Sequence, residues 1–349
     1  MLAGSRTVRS TLAPAVLLLA LSGASCSKQG PIDGGAAMRH VEALVAIGAR
    51  PFGSPALAKA TDYLCEHITK AGQKPVRHEV LHEKEQKTIR NVYAQIDGQD
   101  PQNGPILMFG AHYDTKLAAG HDDASHNFPF VGAIDGGGAP AILLELLRTI
   151  GSADKKPTCN VGFFWIDAEE SIDWVWNDNR SLLGSQEFCK KLAADGTMKR
   201  VKAFVLLDLM GSKNVKFDKD GDSTGQLIDL FAKAGQEMGL GERMFQFPTQ
   251  QAIDYYRQNK LPWGIKDDHL NFKNYGVPSV LLIDFQHRIP PHLQNLGQGQ
   301  QAQVHDDYEQ WWHTPDDNLA AMDPKSLALA GNLVMHALPK LEEFVLARK

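Results

Sequence analysis

The run Val161-Gly162-Phe163-Phe164-Trp165-Ile166 ends in Asp167-Ala168-Glu169-Glu170, and no other stretch limits the chain so tightly. A near-continuous apolar run of this length marks a strand buried on both faces. Two adjacent glutamates at its end must find a use, because a carboxylate that leaves water without a partner is costly. Neighbouring side chains point apart, so one can bind a metal while the other handles a proton. The pattern recurs. Gly110-Ala111-His112-Tyr113-Asp114 follows the apolar run 106–109, and Asp208 lies near the end of the run 205–209. Asp267-Asp268-His269 precedes the run 277–283. Asp135 stands just ahead of a helical pattern at 139–150, and Trp312-His313-Thr314 comes late, followed by Asp316-Asp317. In an open α/β sheet the carboxyl ends of the strands are where sites are built. Carboxylates with imidazole, and no cysteine, suit a zinc site that keeps an open position.

Between these runs the periodicity predicts helices at 38–47, 55–71, 139–150, 182–194, 226–238 and 269–275, with a last helix from Asp323-Pro324 to 347. Asp is a fitting N-cap there and Pro a fitting first-turn residue. Strands at 76–81 and 91–96 are expected to pair antiparallel at one sheet edge. Segments 245–264 and 285–309 read as long irregular loops, which inside a compact domain are often functional. No boundary divides residues 37–349. The expected architecture is a single α/β domain, an α/β/α sandwich around a mixed, mostly parallel sheet.

The 36 Lys and Arg against 41 Asp and Glu give a net charge of −5, which weighs against nucleic-acid binding. Arg6 and Arg9, an apolar stretch at 13–21 and small residues up to Cys26 make residues 1–26 a targeting segment, too short in its apolar part to span a bilayer. The small residues before Cys26 resemble a bacterial lipoprotein cleavage box, although Gly23 replaces the usual aliphatic residue, and ordinary signal-peptidase cleavage is the alternative. Either route implies export from a bacterial cell, to the periplasm or to an outer-membrane anchor, with membrane contact only through a lipid on Cys26. Residues 27–36 read as a polar tether. Cys65, Cys159 and Cys189 are odd in number and lie in apolar patterns, so they are expected as core residues rather than ligands.

In this order, Gly110-Ala111-His112-Tyr113-Asp114, Asp135, Asp167-Ala168-Glu169-Glu170, Leu207-Asp208-Leu209, Asp267-Asp268-His269 and Trp312-His313-Thr314 resemble the zinc aminopeptidase-like superfamily. In detail they are similar to its animal-type glutaminyl-peptide cyclotransferases. Trp312 stands where peptidases more often have Tyr, and Asp267 where they commonly have Ser. Ala139-Pro140 follows the ligand Asp and its glycines, and Trp174 and Trp176 follow the Glu pair. The resemblance implies one zinc on Asp135, Glu170 and His313. It implies Glu169 as proton shuttle, with Asp267 and Asp208 in a buried acid network at the substrate. It places Trp312 and Trp176 in the substrate pocket, with Trp174 the other candidate. His112 and Asp114 are then structural, hydrogen-bonding within their strand-end turn. The implied partners are peptides or proteins with N-terminal Gln, acted on by a monomer. The chain departs from the animal enzymes at Leu281, where they carry a histidine, and at Ala111, where they carry a disulfide cysteine. An aminopeptidase is the alternative, with two zincs on His112, Asp135 and Asp208 and on Asp135, Glu170 and His313. A non-catalytic binding lipoprotein is a third reading, set against the presence of every ligand position.

Overall fold

The computed structural model describes residues 30–285 and 311–348, with Met1. Residues 2–29, with Cys26, and residues 286–310, which take in all but the first residue of the second long loop, lie outside the described residues. The chain runs α1 (Gly34–Ile47), α2 (Pro55–Lys70), β1 (Val76–His82), β2 (Lys87–Ile96), β3 (Ile106–His112), α3 (Ala139–Gly151) and β4 (Asn160–Ile166). It continues through α4 (Leu183–Ala194), β5 (Val201–Asp208), α5 (Gly225–Glu237), α6 (Gln250–Gln258), α7 (His269–Asn274), β6 (Ser279–Ile283) and α8 (Pro324–Leu346).

The six strands form one sheet in the order β1-β2-β4-β3-β5-β6. β2 runs antiparallel to both its neighbours, and β4, β3, β5 and β6 are mutually parallel. The chain leaves β3, returns through α3 as β4 on one side, then crosses through α4 to β5 on the other. The connections therefore diverge at β3, and the crevice beyond the carboxyl ends of β4, β3 and β5 is open to a ligand. Every residue of β3 and β4 is buried, as the uninterrupted apolar runs require. Helices α2, α3, α5 and α8 pack on one side of the sheet, and α4 and α7 on the other. The mixed, mostly parallel α/β/α sandwich is as expected. Cys65, Cys159 and Cys189 are free thiols buried in it. Among the described residues no helix is long and apolar enough to cross a membrane.

Two sequence expectations need correction. The tether was expected to reach residue 36, but α1 begins at Gly34, because the Asp33 carboxylate caps it by accepting the amides of Gly35 and Ala36 at 2.8 and 3.0 Å. Ile32 ahead of it is buried against the core. Segment 245–264 is not irregular throughout, since α6 occupies its middle, capped by Thr249. The helix escapes a hydropathy reading because only Ala252, Ile253 and Tyr256 of its nine residues are buried.

On α1, His40 Nδ1 lies 2.7 Å from the Tyr63 hydroxyl of α2, and its ring meets that of His67 edge-on at 4.7 Å. Burial, and then repulsion from His67, lower its pKa from 6.5 to about 4. The unfolded chain thus binds the extra proton first, so this site's contribution is intact at neutral pH and is lost as pH falls from 6.5 towards 4. Chemical denaturation of His40→Gln against the parent should show the difference moving in the variant's favour by about 2 kcal/mol over that window, allowing for partial solvent screening. A pH-independent difference would refute the assignment.

Candidate active site

The strand ends bring the sequence's acids and histidines to one place. His112 closes β3, Asp208 closes β5, and the Glu pair follows β4. Their side chains, with Asp135 and His313, are all buried. His112 Nε2 lies 2.9 Å from Asp208 Oδ1 and 3.2 Å from Asp135 Oδ1. His313 Nε2 lies 3.2 Å from Glu170 Oε1 and 3.4 Å from Asp135 Oδ2. Asp135 thus stands between two imidazoles, one for each of its oxygens.

The backbone at these positions is unusual in a shared way. Ala168, Leu209 and His313 all adopt left-handed φ near +50°, and each adjoins or is a site residue. Such conformations cost about 1–3 kcal/mol each and gather at functional sites. Gly136, beside Asp135, has φ +83°, and a Cβ there would lie 2.1 Å from the Asp114 carbonyl oxygen. Only glycine fits where the turn leading into α3 crosses the turn after β3.

Asp114 does more than brace its own turn, contrary to the sequence expectation. Its carboxylate accepts the backbone amides of Glu169 and Glu170 at 3.2 and 3.3 Å, so the turn after β3 holds the acid pair that follows β4. Lys116, also buried, donates to the Ser171 and Asp173 carbonyls at 2.8 and 2.9 Å and stands 3.7 Å from Glu170 Oε2. The sequence reading missed Lys116; a lysine two positions past Asp114, in a stretch joined to a buried strand, was its only trace.

The electrostatics follow from burial. Burial pushes the Asp135 carboxyl up, but hydrogen bonding and attraction from His112 and His313 outweigh it and hold the group well below the usual carboxylate range. Glu169 is driven well above its ordinary value by burial, with His112 opposing and the carboxylates of Asp267 and Glu170 adding to the rise. Asp267 rises well above its ordinary value through burial and the neighbouring charges of Asp208 and Asp268. Its Oδ1 accepts the Asp268 amide at 2.7 Å, while its buried Oδ2 has no hydrogen-bond partner among the described residues. Asp208 is likewise raised, by burial against the pull of His112.

One ligand atom from each of Asp135, Glu170 and His313 lies within 4.8 Å of the others, as do those of His112, Asp135 and Asp208. Asp135 Oδ2 is fully enclosed and faces His313 Nε2 at 3.4 Å. Two carboxylates and an imidazole converging on such an oxygen fit a zinc ion with one coordination position left open.

A cavity of about 150 Å³ opens onto this triad. Glu169, Asp208 and Asp267 line it with Trp176, Ile265, Lys266, Ile283, Phe285 and Trp312. Trp312 stacks on the His313 ring at 4.2 Å. Of the two tryptophans left open by the sequence, Trp176 lines the cavity, whereas Trp174 stacks on His126 at 4.1 Å and lies 5.9 Å from the His313 ring. Sequence reasoning missed Ile265, Lys266 and Phe285, which carry no chemical signature of their own.

Trp176 is held from outside. Its indole N–H donates to Asp178 Oδ1 at 2.7 Å, and Lys266 Nζ donates to both oxygens of Asp178 at 2.7 and 2.8 Å. The ion pair is largely exposed, so its worth is at most about 1 kcal/mol. Asp178→Ala is expected to raise KM roughly five-fold, the factor such an energy gives, with kcat nearly unchanged. High salt should weaken the parent towards the variant. A fall in kcat alone would show that Asp178 does not act through the pocket wall.

The family model described as Peptidase family M28 matches residues 91–338. A glutaminyl-peptide cyclotransferase of Dictyostelium discoideum is 26% identical over 235 residues, covering 63% of this chain and 56% of the relative. The chain thus spans little more than half the length of that curated relative. A glutaminyl cyclase structure from an Acidobacteriales bacterium superposes with a TM-score of 0.71 at 25% identity, over 96% of this chain and 99% of the other. A Zn-dependent exopeptidase from Parabacteroides distasonis superposes with a TM-score of 0.70 at 23% identity, over 91% and 99%, a likeness of fold.

Proposed function

The chain belongs to peptidase family M28, and from that premise we propose that it is a glutaminyl-peptide cyclotransferase, closing the N-terminal glutamine of peptides to pyroglutamate with release of ammonia. The observation that carries this reading is the cavity itself: small, walled by Trp176 and Trp312, with Glu169 and Asp267 facing in beside the Asp135, Glu170 and His313 triad. A slot of this kind suits one flat side chain folded back on its own amine.

Asp135, Glu170 and His313 would hold one zinc. When bound, zinc supplies Lewis-acid polarisation of the γ-carbonyl oxygen. The α-amine forms a bond to the γ-carboxamide carbon and the carbon–nitrogen bond to the amide breaks. Glu169 takes the proton from the attacking amine and delivers it to the departing nitrogen, which leaves as ammonia. A raised pKa suits a group that must give its proton back. Asp267, which lines the cavity, is placed to hydrogen-bond the leaving amide through Oδ2, with Asp208 behind it. The apolar wall excludes water, the competing nucleophile, and holds amine and amide together, which removes the rotamer entropy of a free glutamine.

The second ligand group, His112, Asp135 and Asp208, supports the alternative of a two-zinc aminopeptidase, in which Glu169 would activate water. The two readings separate in one paired assay. The cyclase reading expects pyroglutamyl product from Gln-initiated peptides and little free amino acid from leucyl or alanyl substrates. Strong release of p-nitroaniline from leucyl p-nitroanilide, with no pyroglutamate, would reverse the assignment. The same proposal has the protein exported and lipidated at Cys26 and acting as a monomer, and Cys26→Ser should abolish incorporation of a labelled fatty acid.

A further inference from the structure

Arg50 is fully buried, and its guanidinium is spent on backbone carbonyls. Nε donates to Tyr113 O at 3.1 Å. Nη1 donates to Leu44 O and Gly48 O at 3.1 Å and to Val131 O at 2.9 Å. Nη2 donates to Gly132 O at 3.0 Å and Gly136 O at 3.1 Å. These carbonyls come from the end of α1, the turn after β3 and both sides of the loop that presents Asp135. A buried charge is expensive, and a core site of this size is ordinarily filled by an apolar side chain. What an arginine adds is a rigid planar fork of five donors, able to fix several carbonyls at once.

The amides of the same loop are taken by a different residue. Asp317, 1% exposed, accepts the Ile134 amide on Oδ1 at 2.7 Å and the Asp135 amide on Oδ2 at 3.0 Å. A guanidinium therefore holds the loop by its carbonyls and a carboxyl group holds it by its amides, with Asp135 between them. Asp135 belongs to both ligand groups, so its backbone position governs the whole centre.

We infer that Arg50 and Asp317 are a paired positioning clamp that fixes the backbone of Asp135 and thereby sets the affinity of the site for its metal. The inference rests on the proposed function only in that a metal binds at Asp135; it holds for a cyclase or a peptidase alike. Arg50→Lys keeps the charge but replaces the fork by a flexible ammonium with three donors. Asp317→Asn keeps the shape but turns a donor group towards one of the two amides.

The test is zinc affinity, measured on metal-stripped full-length protein by competition with a chromogenic chelator, with circular dichroism and melting temperature alongside. Each variant is expected to bind zinc at least about ten-fold more weakly, the lower end of what supports of metal ligands usually cost. The double variant should lose less than the product of the two, because both act on one loop. At saturating zinc, KM for a Gln peptide should return to the parent value. If Arg50→Lys does not fold, Asp317→Asn decides alone. Lower melting temperatures with zinc affinity within two-fold of the parent would overturn the inference. So would failure of both variants to fold, which would make the pair a support of the fold as a whole. Because affinity is read without turnover, a protein that binds zinc as expected yet forms no pyroglutamate would refute the cyclase reading and leave the clamp standing.

Discussion

Glu169→Gln should lower turnover of a Gln-initiated peptide at least about 100-fold, the usual contribution of a positioned general acid–base, while leaving zinc content and fold intact. The substitution is nearly isosteric. It keeps the backbone amide that Asp114 anchors and removes only the group able to take and return a proton. Burial and the nearby carboxylates raise the Glu169 pKa, so the side chain can return the proton it accepts, as the step requires. Single-turnover kinetics with zinc measured on the same sample provide the check. A variant with near-parental rates would place the proton transfer on another residue of the cavity, such as Asp267.

Glu170→Gln should fail differently. Glu170 Oε1 faces His313, and its neighbour Lys116 balances the second oxygen at 3.7 Å. A carboxamide offers one neutral oxygen in place of a charged pair, to a cation that favours charged ligands. Zinc affinity is expected to fall by at least about 100-fold, more than the loss of a supporting residue costs. Activity should then fall with metal occupancy, and excess zinc should restore part of it. Excess zinc should not rescue Glu169→Gln. Equal zinc affinity in the two variants would mean that the two glutamates have been assigned the wrong way round.

The strands of the site could be read directly because burial on both faces leaves an uninterrupted apolar run, and the acids at their ends have no place in a core. Glu169, Glu170 and Asp208 stood out for that reason, whereas Asp135, His313 and Asp267 were singled out by the family resemblance, and the structure gathers all six around one cavity. What could not be read was whatever depends on contacts between distant residues. Asp114 reaches the Glu pair 55 and 56 positions on, and Asp317 reaches Asp135 across 182. Among the described residues the Arg50 guanidinium bonds only to carbonyls, which every residue possesses, so no neighbouring side chain announced it. α6 was lost because three buried residues in nine leave too faint a stripe. The start of α1 was lost because glycines follow its cap, and glycine ordinarily signals a break. Trp174 and Trp176 are two positions apart on a loop, and only packing separates the one against His126 from the one on the cavity wall.

The central claim is that the substrate's own amine, rather than water, is the nucleophile. Reaction of a Gln-initiated peptide in heavy-oxygen water, followed by mass spectrometry of every product, tests this most directly. The cyclase account predicts a peptide lighter by one ammonia and carrying no heavy oxygen. Free glutamine released with a shortened peptide, and heavy oxygen in its α-carboxylate, would contradict it.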